Sequence, residues 1–307
     1  MSSNEKFKYP DSMPVIDGVV HFDYTTRDDL QRIANLELRD DDVFLTAYPK
    51  SGQTWTIEIV KQVLNGGEFD QQSPMLCRAV YLDAFSLEKR AGMPPMRNYE
   101  TVTDFAKSLP SPRILKTHLQ YHLVPRSDGC TAKYIYNIRN PKDVAVSFYY
   151  HHRTLKPYCF QEKWNDFFEM MMSGQVQYGS WFDHVLDWWE HRDDPNILLL
   201  KYEDMKKDHR GAVAAIAKFL GRALTEEQLG RIVSQTSFEF MKSQELFKLK
   251  EPFKNPNEPE LIRKGVVGDW RYHFTAEQNQ MFDELYKTRM SGKGFDIEFS
   301  GISALGK

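Results

Sequence analysis

Four short apolar runs punctuate the chain: VFLTAY (43–48), ILKTHL (114–119), YIYNIR (134–139) and ILLLKYE (197–203). Each is nearly continuous and rich in β-branched, leucine or aromatic residues. A strand covered on both faces reads this way, because neither side of its pleat meets water. Between and after these runs the apolar period lengthens to that of a helix. In TWTIEIVKQVL (54–64), Trp55, Ile59, Val63 and Leu64 fall near one face. Pro141 follows Asn140 at a natural first helical position, where its missing N–H is no loss. GAVAAIAKFLG (211–221) ends on Gly221, suited to the left-handed residue that closes a helix. Thr225 with Gln228, and Thr275 with Gln278, have capping-box spacing ahead of periodic runs. Strands alternating with helices predict an α/β fold, a central parallel sheet flanked by helices. Ligands of such sheets gather outside the carboxyl ends of the strands, so the strand-to-helix junctions are where chemistry is expected.

The pattern breaks over residues 242–262 (KSQELFKLKEPFKNPNEPELI), rich in charge, proline and asparagine. This reads as a long surface loop and a candidate lid, although an insertion without a role has the same composition. The first fifteen residues are polar, have no apolar core of a signal peptide, and are expected to be a flexible terminus. No run approaches the roughly 18 apolar residues of a membrane span. The chain shows no repeat and no low-complexity linker, and its 307 residues are long for one typical domain and short for two, so length leaves either open.

Composition then narrows the partners. Apolar residues at 41% and charged residues at 27% are ordinary globular usage, which argues against bulk disorder. A formal charge of −3 provides no general basic field for nucleic acid or an anionic membrane, but leaves local basic clusters free to hold a small anion. Cys77, Cys130 and Cys159 are far apart and lack metal-ligand spacing. Such a sparse, odd set argues against a disulfide framework or structural zinc and fits a reducing, cytoplasmic setting.

Four stretches carry candidate chemistry. In Tyr48-Pro49-Lys50-Ser51-Gly52-Gln53-Thr54-Trp55 a strand runs into a small-residue turn and a helix starts at once. Free amides and the helix dipole converge there, which suits a phosphate. Lys50, Ser51 and Thr54 add a cation and two hydroxyls, and Trp55 offers a flat face for a base. An ordinary strand–helix turn with a solvated lysine fits the same residues. The lysine precedes the glycine, so this is not the GxxxxGK[ST] order of a nucleoside triphosphate loop. The formal near-match Gly301–Lys307 ends the chain and lacks the hydroxyl residue. Lys116-Thr117-His118 ends the second strand, where a histidine is placed for acid–base work; a satisfied structural histidine is the plainer reading. The other eight histidines, the His151–His152 pair included, show no comparable setting. Arg139-Asn140-Pro141-Lys142-Asp143-Val144-Ala145-Val146-Ser147 again opens a strand onto a helix, with Arg139 suited either to a bidentate phosphate contact or to a salt bridge at the sheet edge. Arg263-Lys264-Gly265-Val266-Val267-Gly268-Asp269-Trp270-Arg271 pairs cations with glycines, as an anion site or as a solvated cluster.

Together these stretches resemble the cytosolic sulfotransferase family: YPKSG-x-TW, KTH, RNPKDVAVS, KYEDM, TSF and RKGVVGDW occur in the family's order, over about residues 40–295. The resemblance implies a sulfotransferase that uses 3′-phosphoadenosine 5′-phosphosulfate (PAPS), on one α/β domain over residues 1–307 with a P-loop-like turn. It implies that Lys50, Ser51, Gly52, Gln53 and Thr54 hold the phosphosulfate, and that Trp55, Tyr202, Thr236 and Phe238 hold the adenine. Arg139, Ser147, Arg263, Lys264 and Gly265 would hold the 3′-phosphate. His118 would be the general base, Lys50 would stabilise the leaving oxygen, and Lys116 would position the sulfuryl group. No metal is required, because a sulfuryl group carries less charge than a phosphoryl group.

Two departures from the family stand out. Gln53 occupies a place where threonine is usual. The family's subunit-pairing segment reads here as Arg271, Thr275, Ala276 and Gln280, which puts a family-style homodimer in doubt. Phe22, Tyr81, Phe85, Tyr149 and Phe247 are candidate walls for a small hydrophobic acceptor such as a phenol or steroid, although each also fits a plain core. A nucleotide-binding module without turnover, sensing the product 3′-phosphoadenosine 5′-phosphate (PAP), is the competing reading. An unrelated phosphoryl-transfer enzyme is a third, weakened by the absence of Walker order.

Overall fold

The computed structural model describes residues 9–11, 13–22, 25–84, 98–249 and 252–299. The chain enters through a two-stranded hairpin, β1 (Val15–Ile16) and β2 (Val19–Val20). Asp17 and Gly18 turn it with φ of 51° and 82°, the left-handed pair that a two-residue hairpin needs. Helix α1 (Arg27–Ala34) follows, capped reciprocally by Thr26 and Asp29.

Five strands then build the central sheet: β3 (Val43–Ala47), β4 (Val80–Tyr81), β5 (Ile114–Thr117), β6 (Lys133–Ile138) and β7 (Ile197–Lys201). Their order is β4-β5-β3-β6-β7 and every pairing is parallel. The four apolar runs are the four longer strands. Each ladder stops before its run does, leaving Tyr48, His118, Arg139 and Tyr202 just past the carboxyl edge. Two apolar cores lie on the two sides of the sheet, as the alternation along β3 and β6 requires. Val43, Leu45 and Ile135 join Ile57, Val60, Val213, Ile216 and Ile232 on one side. Phe44, Tyr134, Tyr136 and Ile138 join Phe148, Phe167 and Trp188 on the other.

The helices between the strands are α2 (Gln53–Leu64) after β3, α3 (Val102–Ser108) ahead of β5, and α4 (Pro141–Thr154), α5 (Trp164–Ser173) and α6 (Trp181–Trp189) between β6 and β7. Then come α7 (Tyr202–Lys207), α8 (His209–Phe219), α9 (Glu226–Gln235), α10 (Phe238–Ser243) and α11 (Ala276–Met290). Asn140 caps α4 ahead of Pro141, and both expected capping boxes, Thr225/Gln228 and Thr275/Gln278, are formed. Gly221 has φ 65°, one residue past the α8 cap. At the amino edge of the sheet a buried Arg113–Asp42 ion pair ties the residue before β3 to the residue before β5. The opposite edge is left for chemistry.

Two segments differ from expectation. Of the stretch read as a flexible terminus, Tyr9 and Met13 are buried, and the Tyr9 hydroxyl donates to His152 Nε2 at 2.7 Å. The described part of 242–262 leaves its charged and proline residues exposed or half-buried but is anchored by apolar ones. It includes the end of α10 and a 3-10 turn at Glu245–Phe247, and Phe247, Leu249 and Phe253 are buried. The Lys156 N–H donates to the Phe253 carbonyl at 2.8 Å, pinning the segment to the end of α4. Apolar residues two to six positions apart supply these anchors, masked in the sequence by the intervening charge.

Candidate functional site

A cavity of about 250 Å³ opens over the carboxyl edge of β3, β5, β6 and β7, and every element that ends there contributes to it. Its first wall is the turn after β3. Lys50 sits at φ 69° and Gly52 at φ 100°, so the backbone is left-handed at both. Lysine rarely adopts that conformation, and backbone strain of this kind persists where the surrounding structure imposes it. Glycine is required at 52 for a second reason: a Cβ there would lie 2.8 Å from the Tyr202 ring. The first amides of α2 to find helical partners are those of Trp55 and Thr56, both on the Gly52 carbonyl. The earlier amides remain at the helix N-terminus, where an anion is stabilised.

The second wall carries His118. Its Nδ1 lies 2.7 Å from the Ala47 carbonyl, which can only accept, so Nδ1 holds the proton and Nε2 keeps its lone pair. Burial, then the positive charge of Lys116, holds its pKa well below the usual 6.5, so the ring is neutral at pH 7. The His118 carbonyl accepts from His184 Nε2 at 2.8 Å, and its N–H faces the Asp83 carboxylate at 3.2 Å. Asp83 also accepts from the Tyr178 hydroxyl, and the Tyr81 and Tyr178 hydroxyls are 3.3 Å apart. Both phenol rings stand against the His118 imidazole, at 5.5 and 5.3 Å between centroids. Lys116 lies 3.8 Å from the centre of the Tyr81 ring.

Cations crowd the third wall. Arg139 donates to the carbonyls of Lys50 (3.2 Å) and Val266 (3.1 Å) and lies 4.4 Å over the Tyr202 ring. Among the described residues its buried Nε has no partner, and neither has the buried Ser51 Oγ. Arg263 and Lys264 both donate to Asp269, each at 2.6 Å. Gly265, at φ 64°, lets Phe238 close against it, since a Cβ there would meet the ring at 2.3 Å. Trp55 donates its indole N–H to the Thr236 carbonyl at 2.8 Å and meets Tyr202 edge to face. Burial and then the charges of Lys116, Arg139 and Arg263 push Lys50 down to about 7. Such a concentration of positive charge, with orphaned donors beside it, is the environment an anion with several charges would complete.

The family model of the sulfotransferase domain matches residues 40–294. Sulfotransferase 1C2 of the rat is 38% identical over 278 residues, 89% of this chain and 90% of the rat protein. The chain belongs to the sulfotransferase family. Sulfotransferase 1B1 of the dog is 38% identical over 277 residues, with 88% and 90% covered. Among solved structures, retinol dehydratase in complex with androsterone and the inactive cofactor PAP superposes with a TM-score of 0.78 at 32% identity, covering 88% of this chain and 86% of that one. A mouse sulfotransferase complexed with PAP superposes at 0.74 with 33% identity, covering 92% and 96%. The protein is a PAPS-dependent sulfotransferase.

Within the sulfotransferase site, Lys50, Gly52, Gln53, Thr54, Trp55, Lys116, His118, Arg139, Ser147, Tyr202, Thr236, Phe238, Arg263, Lys264 and Gly265 all line the one cavity. Ser51 is buried beneath it. The acceptor candidates divide. Phe22 and Tyr81 line the cavity. Tyr149 does not: it lies two residues from Ser147 on α4, on another face, and packs against Phe160, Trp164 and Phe167. Phe247 is likewise core, with its ring under the Arg78 guanidinium at 4.7 Å. Phe85 lies outside the described residues. Missed in the sequence were Tyr158, Gln177, Tyr178, His151 and Asp269. Of these, His151 carried a readable mark: it stands four residues, about one helical turn, beyond Ser147.

Proposed function

We propose that this sulfotransferase moves the sulfuryl group of PAPS onto a hydroxyl, or an amine, of a small hydrophobic acceptor such as a phenol or steroid, in a single domain and in a cytoplasmic setting. The observation that carries the reading is the commitment of His118 Nδ1–H to the Ala47 carbonyl, which leaves the Nε2 lone pair free to take a proton at the cavity that Lys50 also lines. The three cysteines are free, in keeping with a reducing compartment. Trp55, Tyr202, Thr236 and Phe238 supply a flat enclosure for the adenine, and Arg139, Ser147, Arg263, Lys264 and Gly265 surround the 3′-phosphate. The donor supplies an activated sulfuryl group and departs as PAP.

His118 takes the proton of the attacking hydroxyl at Nε2. Lys50 faces the oxygen on which charge collects as its bond to sulfur breaks, and Lys116 steadies the group in transit. Positioning and charge stabilisation carry the rate, as in phosphoryl transfer. Tyr81, Tyr178 and Phe22 present aromatic faces to the acceptor, while Leu249 and Phe253 close the cavity from the 242–262 segment, which we assign as its lid.

The test is transfer of labelled sulfate from PAPS to phenols, steroids, aliphatic alcohols and arylamines, without added metal. Transfer is expected for at least one class, and His118→Ala should lower it at least a thousand-fold while PAP binding stays within about three-fold. Tight PAP binding with no transfer to any class would favour the PAP-sensing reading.

A further inference from the structure

Among the described residues two histidines line the cavity, His118 and His151, and the mechanism uses only the first. His151 lies on α4 between Ser147 and Leu155, one turn from each, and all three line the cavity. Ser147 belongs to the cationic end. Leu155 belongs to the apolar end, where the residue after it is pinned to Phe253. His151 is therefore a polar side chain at the boundary between the donor half and the acceptor half.

Its protonation follows from its neighbour. Lys50 Nζ lies 3.5 Å from His151 Nδ1. With the anionic donor bound, Lys50 is an ammonium, which only donates, so Nδ1 accepts and the ring proton sits on Nε2. Burial, followed by the charge of Lys50, holds His151 well below the usual 6.5 and keeps the ring neutral. Among the described residues Nε2–H has no hydrogen-bond partner, yet it is not sealed away as an orphaned buried atom. It is a donor open to the cavity. An acceptor molecule that is apolar throughout would cover it without pairing it, and a site selects against such a ligand.

We propose that His151 determines acceptor specificity: its Nε2–H hydrogen-bonds a carbonyl oxygen carried elsewhere on the molecule being sulfated, so hydroxy-ketones are preferred to plain alcohols. This rests on the sulfotransferase reading above and adds the substrate class. A single neutral hydrogen bond of this kind corresponds to about ten-fold in kcat/KM.

The experiment uses the full chain, PAPS and saturated steroid pairs, androsterone and its 17-deoxo analogue among them, with the hydroxyl and carbonyl at different spans. Saturation keeps the carbonyl from altering the acidity of the reacting hydroxyl. In the wild type at least one hydroxy-ketone should exceed its deoxo partner about ten-fold in kcat/KM. His151→Phe should bring that ratio close to one, as should His151→Leu. His151→Gln, which places an amide N–H near Nε2, should keep most of it. PAP binding, measured by calorimetry on each variant, reports that the donor half is intact. A wild-type ratio near one for every pair, or a ratio that survives in both apolar variants, overturns the proposal while leaving the transfer reaction standing. Absence of transfer to every alcohol overturns the reaction assignment, and this proposal with it.

Discussion

Gln53 donates both hydrogens of its side-chain amide, one to the Leu45 carbonyl and one to the Thr117 carbonyl, each at 2.8 Å. It thus ties the carboxyl ends of β3 and β5 together beneath the turn, and its side-chain donors are already committed. Replacing it with leucine removes both cross-links but also the buried Oε1 that has no partner among the described residues, so a net loss of about 1–3 kcal/mol is expected. Denaturant unfolding of Gln53→Leu should show that loss, with PAP affinity within about three-fold of wild type; a ten-fold weakening would put the side chain in the phosphosulfate site instead. At this scale the sequence was readable wherever a residue's neighbours in the chain are also its neighbours in the site. Lys50, Ser51, Gly52 and His118 belong to local turns and strand ends, and their placement follows from where a strand stops. Asp83, Tyr178 and His184 surround His118 from 35 to 66 residues away, and no local pattern announces them. Tyr149 and His151 differ in another way: the period of α4 decides between them, and counting from Ser147 selects His151.

Helix α4 does more than expose a stripe to the cavity. Its first turn holds the last site segment in place, because Asp143 accepts from Gly268 N–H at 2.7 Å and Trp270 N–H at 3.0 Å. Asn140, the cap of the same helix, donates to the same carboxylate at 2.8 Å. Asp269, between those two amides, in turn gathers Arg263 and Lys264. One carboxylate therefore connects the N-terminus of α4 to the cations read as the 3′-phosphate site. Asp143→Ala should weaken PAP at least ten-fold and adenosine 5′-phosphate much less, because only the former carries the 3′-group; equal weakening would confine Asp143 to general stability. Arg139→Ala should discriminate between the same two nucleotides in the same direction. Element boundaries were largely open to reading, since caps and prolines act locally: Asn140–Pro141, Thr225/Gln228 and Thr275/Gln278 each start a helix where expected. Strand β4 was not, for two residues show no period, although Asp17-Gly18 did carry a hairpin signature for β1 and β2.

For the molecule as a whole, the charge assembled at the sheet edge sets how donor binding responds to pH. Lys50 is pushed down to about 7 by burial and by Lys116, Arg139 and Arg263. An anionic nucleotide beside it reverses the last three causes, so the pKa in the complex rises toward the ordinary lysine value of 10.5. Between about 7 and that raised value the complex holds a proton that the free protein lacks. Binding must then take up a proton, and affinity must fall as pH rises through this window. PAP is a suitable probe because its phosphates, with second pKa values near 6, are fully ionised above pH 7 and contribute no opposing slope. His118 and His151 are both neutral in the free protein across this window, so the Lys50→Met variant isolates the lysine's share. Calorimetry from pH 7.0 to 8.5 should show Kd rising about ten-fold, with uptake approaching one proton at the upper end when buffers of different ionisation enthalpy are compared. Lys50→Met should bind more weakly at pH 7 but lose both the slope and the uptake. A flat Kd with no proton uptake in the wild type would mean that Lys50 is fully charged before the nucleotide arrives, and that the four cations are already compensated in the free protein.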